Sequence, residues 1–335
     1  MRGIRRAASM LMVVVPSVVL AQNGAAPDTT ASTTVTRGQV VARDSLTAFV
    51  YERPRLFHAV TDVPAALGSS ARSAVRVRNL PALAVVAAST IALIAGDEPV
   101  LAETRRFARR VGLPPNHPSA NLRIGPFKQP FPTTLGSGLY FLGDGMTSVF
   151  VASGFAIRGS LADDMRARRT ASEVIESLLA SGTVTQVLKH VAGRQTPSEA
   201  TVPRGRWRPL PKLSEYSKNV PAYDAFPSGH LASTMATITV LALNYPEHRY
   251  IWPVGSAAMG VLSFAMVNNG VHWASDYPLA LAIGGVVGHT VVTRGRSVIR
   301  TSPTGSVAAP SPDDRASFDL VPLIAPGVFG VSVRW

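Results

Sequence analysis

The sequence lacks cysteine and is poor in acidic residues, and each shortage excludes classes of protein. Without cysteine, the 335-residue chain has no disulfide, thiol nucleophile, iron–sulfur cluster or cysteine-ligated zinc. Asp and Glu total 20 against 33 Lys and Arg, so the formal net charge is +13. This excess favours anionic partners such as phosphates, anionic lipid or nucleic acid. Hydrophobic residues make up 46% of the chain, which excludes a disordered protein.

The first 21 residues have the pattern of a secretory signal. Three arginines precede an apolar run at residues 10–20, and the small residue Ala21 ends it. This pattern predicts cleavage after Ala21 and export to the periplasm or another extracytoplasmic space. An uncleaved anchor is the alternative, because Pro16 interrupts the apolar run without making it polar.

The rest of the chain divides into four regions. A polar, Ser/Thr/Ala-rich linker is predicted for residues 22–44 and an N-terminal extension for residues 45–79. A helical domain is predicted for residues 80–295, followed by a tail at 296–335. The domain contains six apolar stretches whose lengths favour helices over strands. They are residues 80–96, 135–157, 170–188, 231–244, 250–267 and 277–293. The predicted fold is therefore an all-α bundle of about six core helices.

The tail carries a hairpin signal. Residues 318–325 and 328–335 flank Pro326-Gly327 and partly alternate between apolar and polar side chains. One hairpin cannot close a barrel, so a short strand pair packed on the bundle is predicted.

The relation of the helices to a membrane stays open at this stage. Three of the six stretches have no Asp, Glu, Lys or Arg, whereas others contain Asp144, Glu173 and Glu176. Ionisable groups are costly at membrane depth, so the latter equally fit buried helices of a soluble bundle. Both a membrane-embedded protein and a soluble or peripheral periplasmic bundle are consistent with the sequence, and it does not specify the oligomeric state.

Two histidines stand in contexts that point to chemistry. His230 ends the turn Pro-Ser-Gly-His at the predicted start of a helix, where Ser228 and Gly229 offer a hydroxyl and backbone N–H groups to an anion. His272 precedes Asp276 by four residues, so in a helix the carboxylate could hold one imidazole nitrogen and leave the other outward. A nucleophilic histidine needs that arrangement.

The order and spacing of these residues resemble a known signature. Lys189 begins Lys-His-Val-Ala-Gly-Arg-Gln-Thr-Pro, the Pro-Ser-Gly-His turn follows, and residues 265–276 complete the set. The chain thereby resembles the type 2 phosphatidic acid phosphatase (PAP2) and vanadium haloperoxidase superfamily. Its pattern is Lys-x6-Arg-Pro, Pro-Ser-Gly-His and Ser-Arg-x5-His-x3-Asp.

The resemblance implies a helical bundle and a role for each matching residue. His272 would attack phosphorus, Asp276 would orient His272, and His230 would protonate the leaving alcohol. Lys189, the Ser228 hydroxyl and the Gly229 N–H would hold the phosphate oxygens. Neither a metal nor another cofactor is expected. Because His272 must be neutral while His230 is protonated, the rate profile is expected to be bell-shaped around mildly acidic to neutral pH.

Two arginines of the pattern are absent. Thr196 stands in place of the arginine of the first motif, and Met266 in place of that of the third. Thr196 could donate one neutral hydrogen bond to phosphate, and Arg194 is a candidate replacement for the lost charge. The loop that follows offers further arginines, namely Arg204, Arg206 and Arg208. A phosphoryl group of lower charge is another way to accommodate the loss.

The predicted function is a metal-independent phosphatase for a phosphomonoester or lipid phosphate, acting through a phosphohistidine, with an anionic membrane surface as a further partner. The alternative is a non-catalytic PAP2-like protein that binds an anionic ligand or lipid, because two clamp arginines are replaced. A vanadate-dependent peroxidase fits less well, since fewer positive groups would surround a trianionic vanadate. Nucleic acid is not an expected partner, because no basic helix face or stacking motif accompanies the charge.

Overall fold

The computed structural model describes residues 38–115, 119–124, 127–301, 307–308, 319–325 and 328–334. The predicted all-α class is confirmed, and each of the six apolar stretches forms helix. The stretch at 135–157 is split into two helices by a break at residues 142–144. The α-helices are α1 (His58–Thr61), α2 (Val63–Ala74), α3 (Leu80–Arg110), α4 (Leu135–Phe141), α5 (Gly145–Leu161), α6 (Met165–Ala192), α7 (Leu213–Lys218), α8 (Gly229–Asn244), α9 (Ile251–Asn268) and α10 (Tyr277–Gly295).

Short strands accompany the helices. They are β1 (Gly38–Ala42), β2 (Thr47–Glu52), β3 (Ser119–Ile124), β4 (Phe127–Pro132), β5 (Ser297–Thr301), β6 (Val307–Ala308), β7 (Asp319–Ala325) and β8 (Val328–Arg334). Strands β1, β2, β5 and β6 form one antiparallel sheet in that order, and β3 pairs with β4. The predicted C-terminal hairpin is the antiparallel pair β7–β8, which contacts α3.

One expectation about the N-terminal end of the chain changes, and others stay untested. The signal sequence lies outside the described residues, as does most of the predicted linker at 22–44. The last part of that linker is wrong, because Gly38–Ala42 forms strand β1 and pairs with β2. The segment Gln-Val-Val-Ala is too short to indicate a strand by its own pattern. It becomes a strand because it pairs with β2.

Helices α6, α8 and α10 form the centre of the bundle. Gly284 and Gly288 of α10 allow its close approach to α8, because a Cβ at either position would lie under 3 Å from a carbonyl oxygen of α8. Apolar side chains from α8, α9 and α10 fill the core around this contact. Helices α6, α8 and α10 carry Lys189, Gly229 and His230, and Ser228 and Asp276 are the N-cap residues of α8 and α10, so the tight packing fixes the relative positions of these five predicted site residues.

More apolar helices surround this centre. By length and composition, residues 77–110 and 251–268 are each able to cross a membrane, and α4 with α5 would add a third span bent by 67°. Only 17% of the apolar window in residues 77–110 is buried, so α3 presents most of its apolar surface outward. These helices are consistent with membrane association.

Candidate active site

The predicted site residues converge at one end of the bundle. Lys189 lies in the last turn of α6, and Ser228 is the N-cap of α8, where its Oγ accepts a bond from the Leu231 N–H at 3.4 Å. The Ser228 N–H donates to the Asp276 carbonyl at 3.1 Å, which ties the start of α8 to the start of α10. The Pro-Ser-Gly-His turn thus begins a helix, as its sequence predicts.

His272 is buried and held through one ring nitrogen. Its Nδ1 lies 2.7 Å from the Ala225 carbonyl oxygen and 3.3 Å from Asp276 Oδ2. Both neighbours are acceptors, so Nδ1 carries the proton and Nε2 keeps its lone pair. Burial, with the nearby Lys189 ammonium, lowers the pKa of His272 to about 3. A neutral imidazole with a free Nε2 is the state that a nucleophile requires.

Asp276 reaches His272 by a route other than the helical one considered above. Residues 274–276 form a single 3-10 turn, and α10 begins after it. The Asp276 carboxylate turns back and accepts the Trp273 N–H at 2.8 Å. The closest partner of His272 Nδ1 is therefore the Ala225 carbonyl, and Asp276 contributes the second, longer contact.

Arg194 does not line the phosphate site, which corrects the expectation that it replaces a missing clamp arginine. Its side chain is fully buried, and Nη1 donates to Asp276 Oδ1 at 2.7 Å and to Ser275 Oγ at 2.6 Å. Nη2 donates to Asp97 Oδ2 at 2.6 Å, and Nη2 and Nε both donate to the Arg204 carbonyl. These five bonds use every donor of the guanidinium, so none is left for a substrate.

Asp97 completes this network from α3. Its two carboxylate oxygens accept from Ser275, one from the hydroxyl at 2.6 Å and one from the N–H at 3.1 Å. Burial raises the pKa of Asp276, and the guanidinium of Arg194 opposes that shift. The guanidinium thus stabilises a buried carboxylate that contacts the candidate nucleophile.

The two substituted positions are both buried. Thr196 pairs its hydroxyl with that of Ser198 at 3.0 Å, and its N–H donates to the Pro221 carbonyl. Met266 lies against Ser228, whose Oγ is 3.7 Å from its sulfur. A neutral thioether therefore stands beside a predicted phosphate ligand, where the family pattern has a guanidinium.

The other arginines of the loop are engaged elsewhere or point outward. Arg208 packs over the Tyr223 ring, with its Cζ 5.6 Å from the ring centroid. Arg204 and Arg206 are exposed. The backbone of this loop instead forms hydrogen bonds with residues 193–195, so the loop covers Arg194.

His230 faces His272 across the site. The two ring centroids are 6.1 Å apart, and the rings are close to perpendicular. Tyr140 of α4 also packs against His230, with ring centroids 4.7 Å apart. Two imidazoles at this separation can act on opposite sides of one reacting group.

A space suited to an anion lies between Lys189 and the start of α8. A Cβ placed on Gly229 would lie 3.9 Å from Lys189 Nζ and 3.7 Å from Thr185 Oγ1, so any larger side chain would fill this space. The positive end of the α8 dipole adds to the attraction of the ammonium. One carboxylate opposes them, because Asp224 Oδ2 contacts Lys189 Nζ at 3.1 Å.

Several residues of the site were not identified from the sequence. Asp224 lies four residues before Ser228, and Tyr140 and Asp97 lie on helices outside the three motifs. The acidic pair Asp97-Glu98, directly after the apolar stretch 80–96, was the available signal for Asp97, because a carboxylate next to such a stretch needs a partner if it is buried. Within the described residues, no group of three or more His, Asp or Glu side chains is placed to hold a metal ion.

Comparison with protein-family models supports the resemblance. A family model described as PAP2 superfamily matches residues 170–297, the segment that holds Lys189, His230 and His272. No curated protein matches the chain. Among solved structures, the chain is similar to the first transmembrane PAP2 type phosphatidylglycerolphosphate phosphatase from Bacillus subtilis. The identity is 16% and the TM-score 0.34, and the match covers 70% of this chain and 94% of that chain. The resemblance to the PAP2 superfamily that the three motifs predicted is confirmed over residues 170–297, and a phosphatase-type function is supported in general.

Proposed function

We propose that this protein hydrolyses a phosphate ester or lipid phosphate through a phosphohistidine formed on His272. The observation that carries the proposal is the fixed tautomer of His272, whose Nδ1 is bound to the Ala225 carbonyl. The other ring nitrogen then has a free lone pair in a site that also contains an ammonium and a second histidine.

The first step transfers the phosphoryl group to the protein. His272 Nε2 forms a bond to phosphorus as the bond from phosphorus to the ester oxygen breaks, and His230 gives its proton to the departing oxygen. Lys189 and the N–H groups at the start of α8 stabilise the negative charge on the equatorial oxygens. The Ala225 carbonyl and Asp276 hold the imidazole as it becomes positively charged.

The second step releases phosphate. His230, now neutral, takes a proton from water as the water oxygen attacks phosphorus and the bond to His272 breaks. The free protein is thereby regenerated with His230 protonated. Because burial and Lys189 lower the pKa of His272 to about 3, protonation of this residue limits the rate only in strong acid. The acidic limb of the profile is therefore expected well below the mildly acidic range that the sequence alone suggested.

The charge of the site favours a phosphoryl group of low charge. Lys189 is paired with Asp224, and a thioether occupies the position of one missing arginine beside Ser228. A dianion would meet the Asp224 carboxylate, whereas a monoanionic diester or a monoprotonated monoester would meet it at lower cost. We therefore expect the monoanionic form of the substrate to bind best.

A binding protein without turnover remains the second candidate. The observation in its favour is the neutral Met266 beside Ser228, since charge-assisted contacts contribute strongly to the stabilisation of a transferring phosphoryl group. This candidate predicts that phosphate or lipid binds at the Lys189 site and is released unchanged.

Phosphate release from a panel of substrates distinguishes the two candidates. The panel contains a chromogenic monoester, phosphatidic acid and isoprenyl diphosphate, each tested with wild type, His272→Ala and His248→Ala. His248 is exposed in the turn between α8 and α9, so His248→Ala is the matched control. We expect turnover in wild type and control and its loss in His272→Ala, with an acid-labile phosphohistidine trapped only where His272 is present. Equal release by wild type and His272→Ala would refute the mechanism.

The location of the site follows from the predicted signal sequence and is part of the proposal. We propose that the catalytic end faces the extracytoplasmic side. The chain has no cysteine, so a single introduced cysteine reports which side of the membrane it faces. The two variants are Arg206→Cys, at an exposed residue near the site, and His248→Cys, at an exposed residue at the other end of the bundle. A membrane-impermeant maleimide on intact cells is expected to label Arg206→Cys. Labelling of His248→Cys as well would indicate a peripheral bundle, and labelling of His248→Cys alone would contradict the proposed orientation.

A further inference from the structure

A groove lies on the bundle far from the candidate active site. It encloses about 530 Å³ between the segment 53–59, which precedes and begins α1, and the facing surfaces of α5 and α6. Along α6, Ile175 in this groove is 14 residues from Lys189, which corresponds to about 21 Å at 1.5 Å per residue. The groove is therefore separate from the phosphate site, and most of its lining lies outside the matched segment 170–297.

The rim of the groove is positively charged. Arg53 and Arg55 are both exposed, and neither guanidinium forms an ion pair or hydrogen bond with the described part of the chain, although the Arg55 carbonyl accepts the His58 N–H. Arg168 contributes a third guanidinium, whose Nη2 contacts Asp163 Oδ1 at 2.9 Å. Asp163 is itself 79% exposed, so it screens one of the three charges and leaves a net positive rim.

The floor and the edge of the groove are apolar. Ala156 and Ile175 contribute to the floor, and Leu56 and Phe57 stand at the edge with exposed fractions of 84% and 70%. Phe57 has φ of 63°, a left-handed conformation that is uncommon for an aromatic residue. The structure thus holds a bulky apolar side chain in solvent by a strained backbone, directly beside two arginines.

We propose that this groove binds the head group and upper acyl chain of an anionic phospholipid. The phosphate would lie between Arg53 and Arg55, and the chain would lie along Ala156 and Ile175, with Leu56 and Phe57 entering the acyl region. A site of 300–1,000 Å³ is the usual size for a small ligand, so the groove accommodates part of one lipid molecule. Exposed apolar residues flanked by arginines are the combination that binds an anionic lipid surface.

This proposal does not depend on the phosphatase mechanism, because it uses none of the catalytic residues. The full-length protein in a zwitterionic detergent is titrated with phosphatidylglycerol or phosphatidylcholine, and bound lipid is counted by native mass spectrometry. The groove variant is Arg53→Gln/Arg55→Gln. The control is Arg109→Gln/Arg110→Gln, which removes the same charge from two exposed arginines at the end of α3.

The expected result is selective binding of phosphatidylglycerol that the groove variant weakens by about tenfold or more, since each arginine near an anionic surface contributes several-fold. The control variant is expected to bind as wild type does. Ala156→Phe, at an exposed position on the floor, is expected to weaken lipid binding without changing the charge. Equal loss in groove and control variants, equal binding of the two lipids, or glycerol 3-phosphate binding as tightly as the lipid would each overturn the proposal.

Discussion

Replacing Arg194 by methionine tests whether this residue binds phosphate or stabilises the fold, because the two roles predict different effects on phosphate affinity and on Tm. If Arg194 is a phosphate ligand, as its position in the first motif suggests, the variant folds normally and binds phosphate weakly. If it is the buried partner of Asp97 and Asp276, its loss leaves two carboxylates without their counter-ion. Breaking a buried ion pair from one side costs about 3–5 kcal/mol. For a domain of this size, that corresponds to a fall in Tm of about 6–20 °C.

Two further variants serve as references for the loss of stability in Arg194→Met. Asp97→Asn is expected to cost less, about 1–2 kcal/mol, because the remaining pair of Arg194 and Asp276 is balanced in charge. Arg206→Met, at an exposed arginine of the same loop, is the matched control and should change stability by less than about 0.5 kcal/mol.

Thermal unfolding of the purified full-length protein measures all three variants, and phosphate binding is measured on each folded sample. The reasoning fails if Arg194→Met keeps the Tm of wild type and loses only its affinity for phosphate. It also fails if Asp97→Asn is as destabilising as Arg194→Met, because the cost would then not follow the loss of the positive charge.

Three other outcomes follow from the site. Burial holds the pKa of His272 at about 3, so this residue binds fewer protons in the folded state than in the unfolded one between pH 6.5 and 3. Its own contribution to stability should fall by about 2 kcal/mol from pH 8 to pH 5, so the change in stability between these two pH values should differ by about that amount between wild type and His272→Asn in unfolding scans. Asp224→Asn should tighten the binding of phosphate dianion by about fivefold or more in calorimetric titration, and unchanged affinity would exclude the proposed repulsion. Gly229→Ala should leave Tm within about 2 °C and weaken phosphate binding, since its methyl group enters the space beside Lys189.

The sequence predicted the helices well because their signals are local. Each apolar stretch is long enough to require a helix, and the break in residues 135–157 falls at Gly143 and Asp144, where Asp144 caps α5. The positions of His230 and His272 were predictable for a different reason, since the motif fixes the order and spacing of groups that must meet at one phosphate.

The partners of Arg194 could not be predicted because they are far away in the chain. Asp97 is 97 residues before Arg194 and Asp276 is 82 residues after it, and only the packing of α3 against the start of α10 brings them together. From the sequence, an arginine two residues from a motif position looked like a substitute for the missing guanidinium. A charge can be buried only where its counter-charges are, and the linear pattern does not contain that information.

The pairing of a strand before the helical bundle with a strand after it has a consequence for how the chain folds. Strand β2 pairs with β5 so that Thr47 lies opposite Arg300, which closes a loop of about 250 residues around all of the catalytic helices. Contacts between such distant residues form late, because the entropy of closing the loop is recovered only after the intervening helices have packed. The pairing of β2 with β5 is therefore expected to form after the helical bundle has packed. Until residues 297–301 have been synthesised, strand β2 has an unpaired edge that another chain could occupy.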